Sequence, residues 1–388
     1  MDIISTLSDD LLLKILSELP TKYVVASTIL SKRWKNLWTM VQKFDFDDNF
    51  ELEPSNYGSF LKCVNRSMVF HKAPVLETLK FKVGPCCSYE DITTWITIGM
   101  VRGVRELDIR HCNADFKDKK HSLIKLPNSL YTYEKLECSK ATNLIVGLYL
   151  VCPVLEELML DNARNDDDYM SSWFYNEFDI FNPIKYGNMI VINVPSLKYL
   201  SLVDFNGDSY LCENMPEVIE AIIKVVHKSP MKLLGSLPSV KNLYLCLTNS
   251  VLQHQIGIYH LVHLELCQDS PGWWGLLTWM LDNSPKLQVL KLGKCKERCF
   301  ISSIESHWRG PISVPECLRL HLSTFEWKYY NGRDEEKKIV AYILKNARQL
   351  KTAAFSVQRV FPMKERFQKH KEVVSLHRAS SSCKLMLD

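Results

Sequence analysis

The chain has 388 residues, 46% of them hydrophobic and 24% charged, with a formal net charge of +4. That length fits one elongated repeat domain with small appendages, or two to three compact domains, and so thin a positive balance gives no case for nucleic acid or an anionic membrane as partner. The longest apolar run, Leu144 to Leu155, is broken by Cys152 and Pro153 and is too short to span a bilayer. Thirteen cysteines follow an N-terminus without the basic and apolar regions of a signal peptide. Together these predict free thiols in a reducing, intracellular compartment, cytoplasmic or nuclear.

Leu11, Leu12, Ile15, Leu16 and Leu19 recur at helical spacing behind the capping-type residues Ser8, Asp9 and Asp10, and Pro20 ends that helix. Thr21 is placed to cap a short second helix carrying Val24 and Val25, and Ser31 a third bearing Trp34 and Trp38. So small a unit cannot enclose all its own apolar surface. Each such side chain, fully buried, is worth roughly 1.5–3 kcal/mol, so the surplus is expected to face the next element or a partner.

From Val41 onward a second texture takes over. Ser284-Pro285-Lys286-Leu287-Gln288-Val289-Leu290-Lys291-Leu292 shows it most clearly, with a proline, a gap of one, then apolar residues three and two apart. The register recurs at Leu76/Leu79/Phe81, Leu155/Leu158/Leu160, Leu197/Leu200/Leu202, Val240/Leu243/Leu245 and Cys317/Leu320/Leu322, each behind a proline. Without the proline it fits Val41/Phe44/Phe46, Val104/Leu107/Ile109, Tyr133/Leu136/Cys138, Leu261/Leu264/Leu266 and Leu350/Ala353/Phe355. The last two apolar positions alternate as on a strand and the first sits where the chain turns in, a leucine-rich-repeat pattern. Proline suits that entry because it fixes φ and needs no ladder partner there.

Amphipathic helices are expected between strands at Phe60, Leu61, Val64 and Met68; at Ile92, Trp95 and Ile96; at Ile219, Ile222, Ile223 and Val226; and at Trp274, Leu277, Met280 and Leu281. Helix alternating with strand predicts a solenoid of parallel strands lining one face, its first end covered by the N-terminal helices. Residues 161–193 interrupt the rhythm with Asp166-Asp167-Asp168 and the aromatics Trp173, Phe174, Tyr175, Phe178 and Phe181, read as an insertion. A last helix runs from Asp334 through Ile339, Val340, Ile343 and Leu344, with acids at its start and Lys345 near its end suiting the helix dipole.

No phosphate loop, nucleophile elbow or paired-cysteine zinc pattern occurs. His260, His263 and Cys267 fall on a strand copy with alternating faces, and the run Lys364 to Lys371 reads as a solvated helix face. No catalytic residue, cofactor or metal is expected.

The stretch Leu7-Ser8-Asp9-Asp10-Leu11-Leu12-Leu13-Lys14-Ile15-Leu16, with Leu19-Pro20-Thr21-Lys22, Val24-Val25 and Leu30-Ser31-Lys32-Arg33-Trp34-Lys35-Asn36-Leu37-Trp38, resembles a plant-type F-box. That resemblance implies binding of the Skp-type adaptor of an SCF (Skp, cullin, F-box) ubiquitin ligase while the rest of the chain holds a protein substrate. Carried over by position, the implied adaptor-facing residues are Leu7, Leu11, Leu12, Ile15, Leu16, Leu19, Pro20, Val24, Val25, Leu30 and Trp34. Ser8 stands where the family usually has proline and Tyr23 where it has an acid, which leaves a second reading, a non-ligase repeat scaffold with a degraded box. The segment holding Ser323 to Trp327, Leu350-Lys351-Thr352 and Arg378 to Cys383 resembles the FBD domain of plant F-box/FBD/leucine-rich-repeat proteins. The expected architecture is therefore α/β: an F-box of three helices (1–40), a leucine-rich-repeat solenoid (41–311) and an α+β FBD cap (312–388).

Overall fold

The computed structural model describes residues 4–48, 54–84, 86–111, 127–142, 149–150, 154–162, 189–204, 209–213, 215–225, 230–247, 258–268, 273–294, 307–358 and 361–388. The expected insertion aromatics, Trp173 to Phe181, lie outside them. The chain divides into two units, Met1–Asn162 with Ile190–Val194, and Ala163–Met189 with Pro195–Asp388.

The first unit opens with three helices, α1 (Asp9–Ser17), α2 (Thr21–Ala26) and α3 (Trp34–Leu37). It continues as strand β1 (Lys43–Asp47), helix α4 (Pro54–Phe70), β2 (Thr78–Val83), α5 (Tyr89–Val101), β3 (Glu106–His111), β4 (Cys138–Thr142), β5 (Tyr149–Leu150), β6 (Glu157–Asn162) and β7 (Met189–Asn193). The strands β1, β2, β3, β4 and β6 pair in that order, all parallel, and β5 pairs with β7. Register aligns Phe44, Leu79 and Leu107 in one row and Phe46, Phe81 and Ile109 in the next, and all six side chains are buried. Helix α5 starts at Ser88, whose hydroxyl accepts from the Asp91 amide at 3.1 Å. It lays Trp95 on Phe81 with ring centroids 5.0 Å apart. A Cβ at Gly99 would stand 2.7 Å from Leu79 Cδ2, so glycine there is what lets the helix approach the strand.

The second unit repeats the theme. Its strands are β8 (Tyr199–Asp204), β9 (Ser209–Glu213), β10 (Glu220–Val225), β11 (Asn242–Leu247), β12 (His263–Cys267), β13 (Val289–Gly293), β14 (Thr324–Tyr330), β15 (Thr352–Val357) and β16 (Lys384–Leu387). Apart from β9 they form one parallel ladder in chain order. The helices are α6 (Pro230–Gly235), α7 (Trp273–Asn283), α8 (Glu316–Leu320), α9 (Asp334–Asn346) and α10 (Met363–Val374). Leu200, Ala221, Leu243, Leu264, Leu290, Phe325 and Ala353 share one buried row.

One backbone device recurs at the rungs. Two successive amides converge on a single carbonyl of the rung before: Glu77 and Thr78 on Gln42, Arg105-preceded Glu106 and Arg105 itself on Glu77, Lys241 and Asn242 on Ile219, Gln288 and Val289 on Val262, Lys351 and Thr352 on Ser323. A carbonyl oxygen has two lone pairs, so it satisfies both donors at the strand entry where no ladder bond yet exists.

The parallel sheet of mixed α/β character is as expected, but several rungs differ. Ile219 to Val226 was expected as a helix, yet Glu220–Val225 is strand β10, paired on both sides. Val218, Ala221 and Ile223 are its buried set and Ile219 is exposed, so the 43-residue gap between Leu197 and Val240 holds one more rung at Val218. Cys317/Leu320/Leu322 is not a strand copy. Pro315 sits at the N-cap of α8, and the true rung is Leu322/Phe325/Trp327, five residues on; proline starts helices as readily as strands. Tyr133/Leu136/Cys138 is likewise shifted, because Leu107 lies beside Ser139 and Ile109 beside Ala141. The small side chains at those two places carry no leucine signal. Finally, β16 was unexpected.

Glu336 anchors the turn into α9. The residue is 3% exposed and its carboxylate accepts from the amides of Asn331 at 2.8 Å and Arg333 at 3.4 Å; burial holds its pKa above the usual carboxylate value. Glu336→Ala leaves both donors without a charged acceptor and is expected to cost about 2 kcal/mol. Urea unfolding checks this, with Glu336→Gln retaining most of the loss-free stability.

Candidate interaction surface

The N-terminal helices are built around an internal and an external apolar set. Ser8 is the N-cap of α1, in extended conformation, with its hydroxyl accepting from the Leu11 amide at 3.4 Å. Asp9 and Asp10 occupy the first turn, where the helix dipole favours acids. Arg33 ties the ends together: its Nε donates to Asp9 Oδ1 at 2.7 Å and its Nη2 to the Leu7 carbonyl at 2.6 Å. Leu12, Leu16, Val24, Trp34 and Leu37 fill the interior. On the other side of α1, Leu11 and Ile15 are each 48% exposed and Leu19 is 40% exposed, a stripe at i, i+4 and i+8.

Of the residues carried over as adaptor-facing, Leu11, Ile15, Leu19, Pro20 and Leu30 are exposed, Leu7 and Val25 are half-buried, and Leu12, Leu16, Val24 and Trp34 are buried. The buried four present no surface; they hold the helices that carry the others. Ile29, 87% exposed, and Tyr23, 59% exposed, add apolar surface that helical periodicity did not single out. Ile29 lies outside the three helices, so spacing carried no signal for it.

Two expected caps are absent. The N-cap of α2 is Pro20, and Thr21 is buried with its hydroxyl accepting from the Asp45 amide on β1 at 2.7 Å. The N-cap of α3 is Arg33, and Ser31 is exposed. Thr21 thus fastens the helical cluster to the first strand. His71, just after α4, ties the end of that helix to the entry of β1: it is buried, its Nε2 donates to the Val41 carbonyl at 2.9 Å, and its ring meets Phe44 edge-on. Burial, with Arg102 nearby, lowers the His71 pKa below the ordinary histidine value. Its folded pKa therefore lies under the unfolded value of about 6.5. Stability is full above that value and falls as acidification protonates the unfolded state first. Unfolding free energy at pH 5 is expected to be lower than at pH 7.5, with part of the difference absent in His71→Gln.

The face of the first unit's sheet opposite its core carries charge. Asp45, Lys80, Asp108 and Lys140 form one row across β1 to β4. A cleft of about 250 Å³ there is lined by Lys80, Glu106, Asp108, Glu137, Cys138, Lys140, Glu156 and Glu157. Asp108 is nearly buried beneath Arg110, 2.9 Å away. The Cys138 thiol donates to Glu157 at 3.6 Å and is pushed up to about 11 by burial and that carboxylate, which favours the protonated thiol.

Comparison with known proteins places these features. The family model described as "F-box domain" matches residues 4–46 and that described as "FBD" matches residues 310–355. An FBD-associated F-box protein of Arabidopsis thaliana is 54% identical over the whole of both chains. Two F-box/FBD/LRR-repeat proteins of the same plant are 38% identical, covering all of both chains, and 37% identical, covering all of this chain and 99% of the relative. With a capped helical box at one end, a matched FBD segment toward the other and relatives aligned from end to end, this chain belongs to the F-box/FBD/LRR-repeat protein family.

Proposed function

We propose that the chain is the substrate-receptor subunit of an SCF-type cullin-RING ubiquitin ligase, acting inside the cell, in cytoplasm or nucleus, without catalytic residues of its own. The exposed α1 stripe within a matched F-box carries the reading. Leu11, Ile15 and Leu19, with Leu7, Pro20, Val25 and Leu30 around them, form the surface for the Skp-type adaptor, which in turn joins the cullin. Each half-exposed leucine or isoleucine that the adaptor covers contributes roughly 1 kcal/mol. Leu12, Leu16, Val24 and Trp34 act from within by fixing the helices.

The parallel ladders are read as a leucine-rich-repeat solenoid, with boundaries at 1–40, 41–311 and 312–388. Its charged strand face is the place for a protein target, since rows of opposed charge confer specificity more than raw affinity. The mechanism is proximity: the target is held near a ubiquitin-charged enzyme for long enough to react.

The test uses Leu11→Asp/Ile15→Asp, which blinds the chain to the ligase while leaving the strand face intact. Proteins captured by this variant are expected to be ubiquitylated in a reconstituted ligase with the wild-type chain and not with the variant. Equal ubiquitylation with both overturns the reading. The alternative, a non-ligase scaffold with a degraded box, rests on Ser8 and Tyr23, but the Ser8 hydroxyl at the N-cap accepts from the Leu11 amide, a side-chain bond that proline cannot make. Ser8→Pro is accordingly expected to leave adaptor affinity within about threefold; a gain of tenfold or more favours the scaffold.

A further inference from the structure

Strand β16 ends the second unit's ladder, and among the described residues nothing pairs with its outer edge. Lys384 donates its amide to the Lys351 carbonyl at 2.9 Å, and Asp388 donates to the Phe355 carbonyl at 3.0 Å. Backbone groups alternate along an extended strand, so Lys384, Met386 and Asp388 face β15 while the amides and carbonyls of Leu385 and Leu387 point outward.

The side chains at this end are apolar where a terminal rung calls for polar ones. Leu387 lies beside Phe355 in the inward row, yet Phe355 is 1% exposed and Leu387 36%, because among the described residues no strand covers the outer side of β16. Met386 on the other face is 55% exposed. On α10, Met363 and Phe367, one turn apart, are 83% and 70% exposed.

We propose that β16 pairs antiparallel with β16 of a second copy of this chain, about a two-fold axis at Met386. The sequence Lys384-Leu385-Met386-Leu387-Asp388 is self-complementary about that point. Leu385 meets the partner's Leu387 as a hydrogen-bonded pair, and the reciprocal pair brings the outward backbone bonds to four. Lys384 meets the partner's Asp388 as a non-hydrogen-bonded pair, the arrangement with closer side chains, about 4.5 Å between Cα atoms. An in-register parallel pairing sets lysine against lysine and aspartate against aspartate, and an unrelated partner has no need of opposite charges at the two ends. The charge pattern therefore selects a second copy. An open edge of this kind is otherwise a liability that folds cover.

Sedimentation velocity of the full chain across concentration tests this. The wild type is expected to form a reversible dimer. Lys384→Glu sets two like-charged pairs across the axis, as does Asp388→Lys, and each is expected to raise the dimer Kd about tenfold with unchanged Tm. Mixing the two variants in equal amounts restores attraction in both pairs and is expected to recover the wild-type dimer. A wild type that stays monomeric at ~100 µM, including one that holds a different protein at this edge, overturns the proposal. So does a dimer that ignores both substitutions, or one that fails to recover on mixing.

Discussion

Leu11→Asp/Ile15→Asp is expected to weaken adaptor binding at least a hundredfold while changing Tm by no more than a degree or two. Both side chains are already half in solvent in the free chain, so aspartate there costs the folded state little. In the complex the same positions are covered, and two carboxylates must be stripped of water against apolar surface. Leu16→Ala is the counterpart. Leu16 is 1% exposed, so its truncation is expected to cost about 2–4 kcal/mol of stability and to weaken adaptor binding only through the unfolded fraction. Calorimetric titration with adaptor, beside thermal unfolding of each variant, separates the two behaviours. If both variants lose binding and stability together, the division into an inner and an outer apolar set is wrong.

Trp327→Ala is expected to be the most destabilising single change in the second unit, at about 4 kcal/mol. The side chain is fully buried, meets the rings of Trp273, Phe325 and Tyr330 at centroid distances of 5.9, 6.2 and 5.5 Å, and donates its indole N–H to Gln268 Oε1 at 3.1 Å. Truncation opens a cavity shared by α7 and β14 and leaves the glutamine without its partner. Because a repeat stack is coupled through nearest neighbours, hydrogen exchange is expected to quicken in β13 and β15 as well as β14. Urea unfolding measures the loss. A value under about 1 kcal/mol contradicts the packing described.

Leucine made the ladder legible, and its absence hid the rest. Leu76/Leu79/Phe81 and Leu287/Leu290/Leu292 announce their strands because large apolar residues occupy all three inward positions. At β4 the same positions hold Leu136, Ser139 and Ala141, so the pattern slid to a neighbouring apolar set. At β10 a run of isoleucines satisfied helical and strand periods at once. The β-branched content was the cue that favoured a strand. The Pro315 copy failed for a related reason, since a proline marks a boundary without saying which element follows.

In the box, helix existence was legible from spacing, but exposure was not. Leu11 and Leu12 are adjacent and equally apolar, yet one is 48% exposed and the other 0%. Which of two apolar stripes faces inward depends on where α2, α3 and β1 pack, and that is a tertiary fact. The Thr21 bond to Asp45 spans 24 residues and left no local signature.

The most direct measurement is calorimetric titration of the intact, purified chain with a Skp-type adaptor. The account predicts saturable one-to-one binding in the sub-micromolar range. No binding, under conditions where an established F-box protein binds the same adaptor preparation, contradicts it.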